Sequence, residues 1–418
     1  MIRNVFLAIS YMRQLIGSGF LKRDFLNHDI LNKLILIPIA ATLMPAYTYA
    51  KPLADYLKEV KAMPEASLLT AKGEGAVDIR SDKLLIPAST MKLLVAYLAL
   101  DHWGEDHRLS TDFYLEGDTL WVKGLGDPNL TSEELELVAL ALDKTIDLSK
   151  VKKLAVDHSF FPEIRLDGRG KSNNPYDAAN SALGVNYNTV YLKRDRRGLY
   201  SGEAQTPMTP MAKKLGRWVK GSYRMSLPGG RDKAAQYFAQ VFSQIVFARQ
   251  LPIEIAVVPA TADKIYTHKN SLTIARVVEQ LLEYSNNYTT NQLFLLLGAE
   301  ANGGVVSEQA AIDYASKTLR ERFGWQDFAI YDGAGLSRKN RLSTKQLLSV
   351  AEALRPWRWL LPSARGHIRA KTGTMLRISS LAGFYRDNDD KWRAFALMIN
   401  DQDVTFDYRF RLSEQLGR

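Results

Sequence analysis

The chain has 418 residues, 46% of them hydrophobic and 24% charged, enough for two or three domains with ample cores. It has no cysteine, which excludes disulfides, thiolate nucleophiles and cysteine-based metal sites. The net charge is +10, yet no basic block carries interleaved aromatics, so a nucleic-acid partner is not expected.

In chain order, Lys33 precedes an uncharged run of 17 residues, Leu34 to Ala50. Pro38 and Pro45 break it, and the small Thr48 and Ala50 stand just before Lys51. This pattern predicts a secretory signal peptide over 1–50 and a mature chain that begins at Lys51. A span of this length is marginal for crossing a membrane, so an uncleaved anchor is the alternative. The expected location is the periplasm; peripheral membrane contact and oligomeric state stay open. Residues 1–50 hold five basic and two acidic residues, which leaves +7 on the remainder.

Helical spacing predicts a helix over Pro52 to Lys61, followed by a strand at Ala66 to Leu69. Leu85-Ile86-Pro87-Ala88 reads as a strand end and a proline turn. A helix then starts at Ser89 and ends near Gly104. Alternating patterns predict strands at 110–116 and 119–123, joined by a Gly117-Asp118 turn. An acidic helix follows over 132–142, then a strand at 151–156 that ends at Asp157. Residues 164–185 read as a long loop. Strands are expected at 186–193 and 253–258, and a helix at 234–247. Strong helical period resumes at Leu272, breaks at Tyr284 to Asn287 and continues as Asn291 to Leu297. Further helices are expected at 307–323 and 343–354, the latter capped by Ser343. Strands at 368–374, 379–385 and 392–400 and a helix over 406–416 complete the chain. The fold class is α/β (α+β), one domain interrupted by a strand-rich insert.

Three short elements carry chemistry. Ser89-x-x-Lys92 opens a helix, where a spacing of three puts both side chains on one face. A serine there has a neighbouring base and helix N–H groups for a developing oxyanion. Ser285-Asn286-Asn287 interrupts two helices, and Lys371-Thr372-Gly373 ends a strand. β-Lactamases and penicillin-binding proteins share this ordered set. A second lysine near Lys92 disfavours charge on both, so that Lys92 can accept a proton. Ser285 can relay a proton to a leaving amine, and Asn287 can hold Lys92 and a substrate amide. Gly373 lets a substrate backbone lie against the strand, and the N–H groups of Ser89 and Thr374 can form an oxyanion hole. Each short element has a decoy. Ser149-x-x-Lys152 leads into a strand, and Ser172-Asn173-Asn174 lies in a loop. Gly170-Lys171-Ser172 lacks the first glycine of a phosphate loop, because Arg165 stands there.

Longer stretches add to these: Gly124-Leu125-Gly126-Asp127-Pro128-Asn129-Leu130, Asp157-His158-Ser159-Phe160-Phe161, Asp332 to Arg341, and Ala370 to Met375. With them the chain resembles the penicillin-binding protein 4 type of D-alanyl-D-alanine carboxypeptidase and endopeptidase, the low-molecular-mass class C group. The resemblance implies a penicillin-binding, transpeptidase-like domain over 51–105 plus 259–418, its antiparallel sheet flanked by helices. The inserted segment is 106–258. It implies Ser89 as the acylated nucleophile, Lys92 as its base, and Ser285, Asn287 and Lys371 as the rest of the catalytic set. Thr372, Gly373 and Thr374 would bind the substrate's terminal carboxylate and backbone, and Asp157, Arg338 and Met375 would approach the stem-peptide side chain. No cofactor or metal is implied. The partners are peptidoglycan stem peptides and β-lactams as covalent inhibitors. Two departures stand out: Tyr288 to Gln292 lacks an acidic residue common in that group, and the insert is short. A β-lactamase and a non-catalytic wall-binding protein are the rival readings.

Overall fold

The computed structural model describes residues 51–73, 75–401 and 404–417; the predicted export segment lies outside them. Helix α1 (Leu53–Ala62) leads into strands β1 (Ala66–Thr70) and β2 (Asp78–Ile79). A 3-10 turn over Ala88–Met91 runs into α2 (Lys92–Trp103). The insert follows with β3 (Ser110–Glu116), β4 (Thr119–Gly124), α3 (Ser132–Thr145) and β5 (Lys153–Asp157). It continues with β6 (Thr189–Asp195), β7 (Gly198–Ser201), α4 (Pro210–Leu215) and β8 (Gly221–Ser226). Then come α5 (Gly230–Phe247), β9 (Ile253–Ile255) and β10 (Asp263–Lys269). The remainder holds α6 (Ile274–Glu283), α7 (Asn287–Ala301), α8 (Glu308–Phe323) and α9 (Thr344–Ala353). Strands β11 (Ser363–Arg365), β12 (Ile368–Met375), β13 (Ile378–Arg386) and β14 (Trp392–Ile399) precede α10 (Tyr408–Ser413).

The main sheet runs β11-β12-β13-β14-β1-β2 and is antiparallel throughout. The period of two sorts β14 onto two cores. Ala394, Ala396 and Met398 face helices α2, α6, α7 and α9, whereas Phe395, Leu397 and Ile399 face α1 and α10. Helix α2 is buried without a break from Lys92 to Leu100, so it runs through the middle of the helical layer rather than along its surface.

In the insert, a five-stranded sheet, β10-β3-β4-β5-β9, and a three-stranded sheet, β7-β6-β8, share one core with α3 and α5. Strand β10, expected on the peptidase side of residue 259, pairs with β3 and so belongs to the insert's sheet. Residues 186–188, expected to be strand, form a turn in which three successive non-glycine residues are left-handed (φ 50°, 60° and 53°). Their side chains hold it: Asn186 Nδ2 donates to Ser132 and Thr206, and Asn188 Nδ2 donates to Ala179 O and Ser181 Oγ.

The chain returns from the insert through a buried polar join. Asp127 accepts from Asn129 N at 2.9 Å and from Asn270 Nδ2 at 2.8 Å. Burial pushes its carboxyl up to about 6 against these hydrogen bonds. Glu134 is also buried, but its hydrogen bonds from His268 (2.6 Å) and from both N and Oγ of Ser271 outweigh burial and hold its pKa below the usual value. The Gly-Leu-Gly-Asp-Pro stretch is therefore structural, as expected. Among the described residues, no helix is long and apolar enough to cross a membrane.

Candidate active site

Ser89 lies in the 3-10 turn rather than in the α-helix proper, which begins at Lys92. In a 3-10 turn, side chains three apart eclipse, so the expected contact forms by a different geometry. The preceding Ala88 is left-handed (φ 48°), a strained conformation for a residue with a Cβ. Its carbonyl is gripped from the loop after α8: a Cβ on Gly335 (φ 80°) would lie 2.0 Å from Ala88 O. Only glycine fits there.

Lys92 is fully buried. Its Nζ lies 3.1 Å from Ser89 Oγ, 2.7 Å from Asn287 Oδ1 and 2.7 Å from the carbonyl of Ala334. The last two atoms are pure acceptors, so a neutral amine satisfies both with its two protons and turns its lone pair to the Ser89 hydroxyl. Burial, and then the charge of Lys371, hold the pKa of Lys92 well below the usual lysine value, against the pull of Asp332.

Asn287 comes from the turn between α6 and α7. Asn286 caps α7 by accepting from Thr289 N, one turn earlier than the expected helix start at Asn291. The cap sets Asn287 in the first turn with its amide on Lys92. Ser285, just before it, is half-buried and left-handed (φ 53°).

Strand β12 passes beside the nucleophile turn. A Cβ on Gly373 would lie 2.1 Å from Ser380 Oγ, 2.7 Å from Pro87 O and 3.0 Å from Ser89 N. The glycine is thus required first by the protein's own packing, a reason that differs from the expected room for substrate. Lys371 is buried and donates to Thr372 O at 3.0 Å. Burial, and then Arg409, lower its pKa to about 7, with Glu283 opposing. Thr372 is half-buried and Thr374 is exposed at the strand's end. Arg338 reaches across to Leu376 O at 2.8 Å, which puts it beside the half-buried Met375 at the same rim.

Asp157 does not join this group. It is 1% exposed, and its two oxygens accept from Ser159 N and Val258 N. The carboxylate fastens the end of β5. The decoys have partners of their own, although the loop of Ser172 reaches the site through Tyr176, whose carbonyl accepts from Asn287 Nδ2 at 3.4 Å. Ser149 bonds Asp147 in an exposed turn, and Ser172 bonds Asp177 in a loop.

Asn291 and Arg409 lie outside the motifs, and Asp332 and Ala334 stand in the Asp332 to Arg341 stretch without an expected role at the site. Ala334 offers a backbone carbonyl to Lys92. Asp332 shapes the loop that holds it by accepting from the N–H groups of Ala334, Leu336 and Ser337. Asn291 Oδ1 accepts from Gly333 N and Ala334 N. Arg409 of α10, 1% exposed, donates to Gly373 O at 2.6 Å and Thr374 Oγ1 at 2.8 Å while stacking over Phe406. Only the buried position of a charged residue among aromatics hinted at the last.

A serine set against a buried, charge-depressed lysine on this helix-and-sheet frame defines a serine peptidase of the penicillin-interacting class. The chain belongs to the D-Ala-D-Ala carboxypeptidase 3 (S13) family, which it matches over residues 53–222, 226–362 and 357–414. It is 24% identical over 407 residues to the penicillin-sensitive carboxypeptidase A of Dictyostelium discoideum, covering 75% of this chain and 78% of that one. It is 22% identical over 396 residues to the D-alanyl-D-alanine carboxypeptidase of Actinomadura sp. (strain R39), covering 75% and 73%. The crystal structure of penicillin binding protein 4 from Haemophilus influenzae superposes with a TM-score of 0.69 at 18% identity, covering 87% of this chain and 97% of that one.

Proposed function

We propose that Ser89 is the nucleophile of a D-Ala-D-Ala carboxypeptidase acting on peptidoglycan stem peptides. Its Oγ attacks the carbonyl carbon of the penultimate D-alanine while Lys92 Nζ takes the hydroxyl proton. The N–H groups of Ser89 and Thr374 hold the resulting oxyanion. When the intermediate collapses, the C–N bond breaks and the leaving amine takes a proton through the Ser285 hydroxyl. Water, deprotonated by Lys92, then cleaves the Ser89 ester. Lys371, Thr372 and Thr374 meet the substrate's terminal carboxylate; Arg338 and Met375 face its side chain. Release of a cross-linked partner strand follows the same steps.

The observation that carries this reading is the Lys92 amine, whose acceptors leave one direction for its lone pair, toward Ser89. The Haemophilus influenzae relative has also been crystallised as a complex with a novel β-lactam. In a β-lactam the broken C–N bond leaves its amine tethered, so the Ser89 ester persists. The peptidase domain comprises the segments before Leu109 and after Lys269, with the insert between them, and export through residues 1–50 delivers it to the periplasm.

Mass spectrometry of the mature protein after penicillin treatment tests both parts. The expected result is one covalent adduct on Ser89 and an N-terminus at Lys51. Rapid turnover of penicillin would favour the β-lactamase reading, and an adduct on another residue would overturn the assignment of Ser89.

A further inference from the structure

One segment of the insert is strongly basic. Segment 193–220 holds eight basic residues against Asp195 and Glu203, a net +6. In sequence these residues look scattered. The fold gathers them at the tip of the three-stranded sheet, because Arg194 on β6 donates to Gly216 O at 3.1 Å and Val219 O at 2.9 Å. Those bonds set the Arg196-Arg197 turn beside α4 and the segment that follows it, where Lys213, Lys214, Arg217 and Lys220 are all exposed. Arg197 is paired with Asp195; the charge that remains is still strongly positive.

A tryptophan stands among these cations. Trp218 is 82% exposed, with the Arg217 guanidinium 5.1 Å from its ring. Along α4 a groove of about 600 Å³ is walled by Pro210, Met211, Leu215 and Pro228, with Lys214, Lys233, Gln236 and Gln240 also lining it. An exposed indole carrying an arginine over its ring, three positions from the groove wall at Leu215, is the chemistry of a membrane interface. The ring enters the headgroup boundary and the cations meet lipid phosphates.

We infer that this tip is a docking surface for an anionic phospholipid bilayer, with Trp218 as its apolar anchor and Lys213, Lys214 and Arg217 as its electrostatic contacts. Lipid is favoured over an anionic wall polymer or a nucleic acid by the groove, which offers apolar walls to an acyl chain. The S13 family's substrate lies in the cell wall, so a surface of this kind holds the enzyme at the membrane side of its polymer. The inference stands apart from the catalytic assignment, since none of these residues belongs to the Ser89 site.

The test uses residues 51–418, which hold all three cores, so that the apolar N-terminal run cannot contribute. Co-sedimentation is measured with vesicles of phosphatidylcholine alone and with phosphatidylglycerol added. Binding is expected only with phosphatidylglycerol, weakening as salt rises. Each reversed basic residue should cost roughly fivefold or more in partitioning, so Lys213→Glu/Lys214→Glu/Arg217→Glu should abolish it. Quenching by brominated lipid should be seen for the native chain and lost in Trp218→Phe. Unchanged thermal midpoints would show that the variants fold. No binding to anionic vesicles, undiminished binding by the triple variant, or retention on purified peptidoglycan or DNA alone would each overturn the inference.

Discussion

The Ser89 site and the join between insert and peptidase domain both bury charge, and they treat it in opposite ways. At the join, Glu134 is given His268 and two donors from Ser271, and Asp127 is given Asn129 and Asn270. At the site, Lys92 is buried against neutral oxygens and the charge of Lys371, and Lys371 against a carbonyl and the charge of Arg409. A buried charge with matched partners locks a structure, whereas a buried charge facing its own kind gives up its proton. The contrast separates a hinge built for stability from a site built for reactivity.

The sharpest way to break this contrast is Lys92→Met. Removing the base should slow acylation of Ser89 by roughly 10³-fold, followed by stopped-flow penicillin binding, while the thermal midpoint stays level or rises. A large loss of stability would mean that Lys92 is structural. Next comes Glu134→Ala, which strands His268 and the Ser271 N–H and hydroxyl. It should cost about 3 kcal/mol of stability in denaturant titration and leave the acylation rate of the folded enzyme within about twofold.

The third case is Lys371→Ala, with a smaller expected effect of roughly ten- to a hundredfold on acylation. The charge of Lys371 lowers the pKa of Lys92, so its removal raises that pKa and moves the acid limb of the acylation profile toward higher pH. An unshifted limb would sink the coupling. The same residue has a signature in stability. Its folded pKa of about 7 lies below the ordinary 10.5, so the native state binds fewer protons between these values and gains stability as pH rises through them. The cost of burying its charge is therefore full below pH 7. Lys371→Met should add about 1–3 kcal/mol there and less at alkaline pH.

The three candidate catalytic elements were legible because they come in order and in helix, turn and strand contexts that decoys of equal spacing lack. Ala334 was not, because a backbone carbonyl has no letter of its own and becomes a partner only when the loop holding it folds. Arg409 contacts the third element from 36 positions away, through a helix that carries no other sign of function. Strand β10 was missed because five of its seven residues are polar or charged on an edge strand. The hydrogen bonds of Asp157 to Ser159 N and Val258 N were not legible, because a carboxylate at a strand end looks alike whether it awaits substrate or ties down its own loop.

The insert also bears on how the chain folds. It leaves the peptidase domain after Leu109 and rejoins it at Asn270, and these two residues are hydrogen-bonded at 2.8 Å. An intervening segment that folds on its own core thus hands back two ends already in contact. The entropy of closing so long a loop is then met inside the insert, before α2 and α7 assemble around Lys92. For folding kinetics, the residues that complete the catalytic set behave as near neighbours rather than as partners almost 200 positions apart.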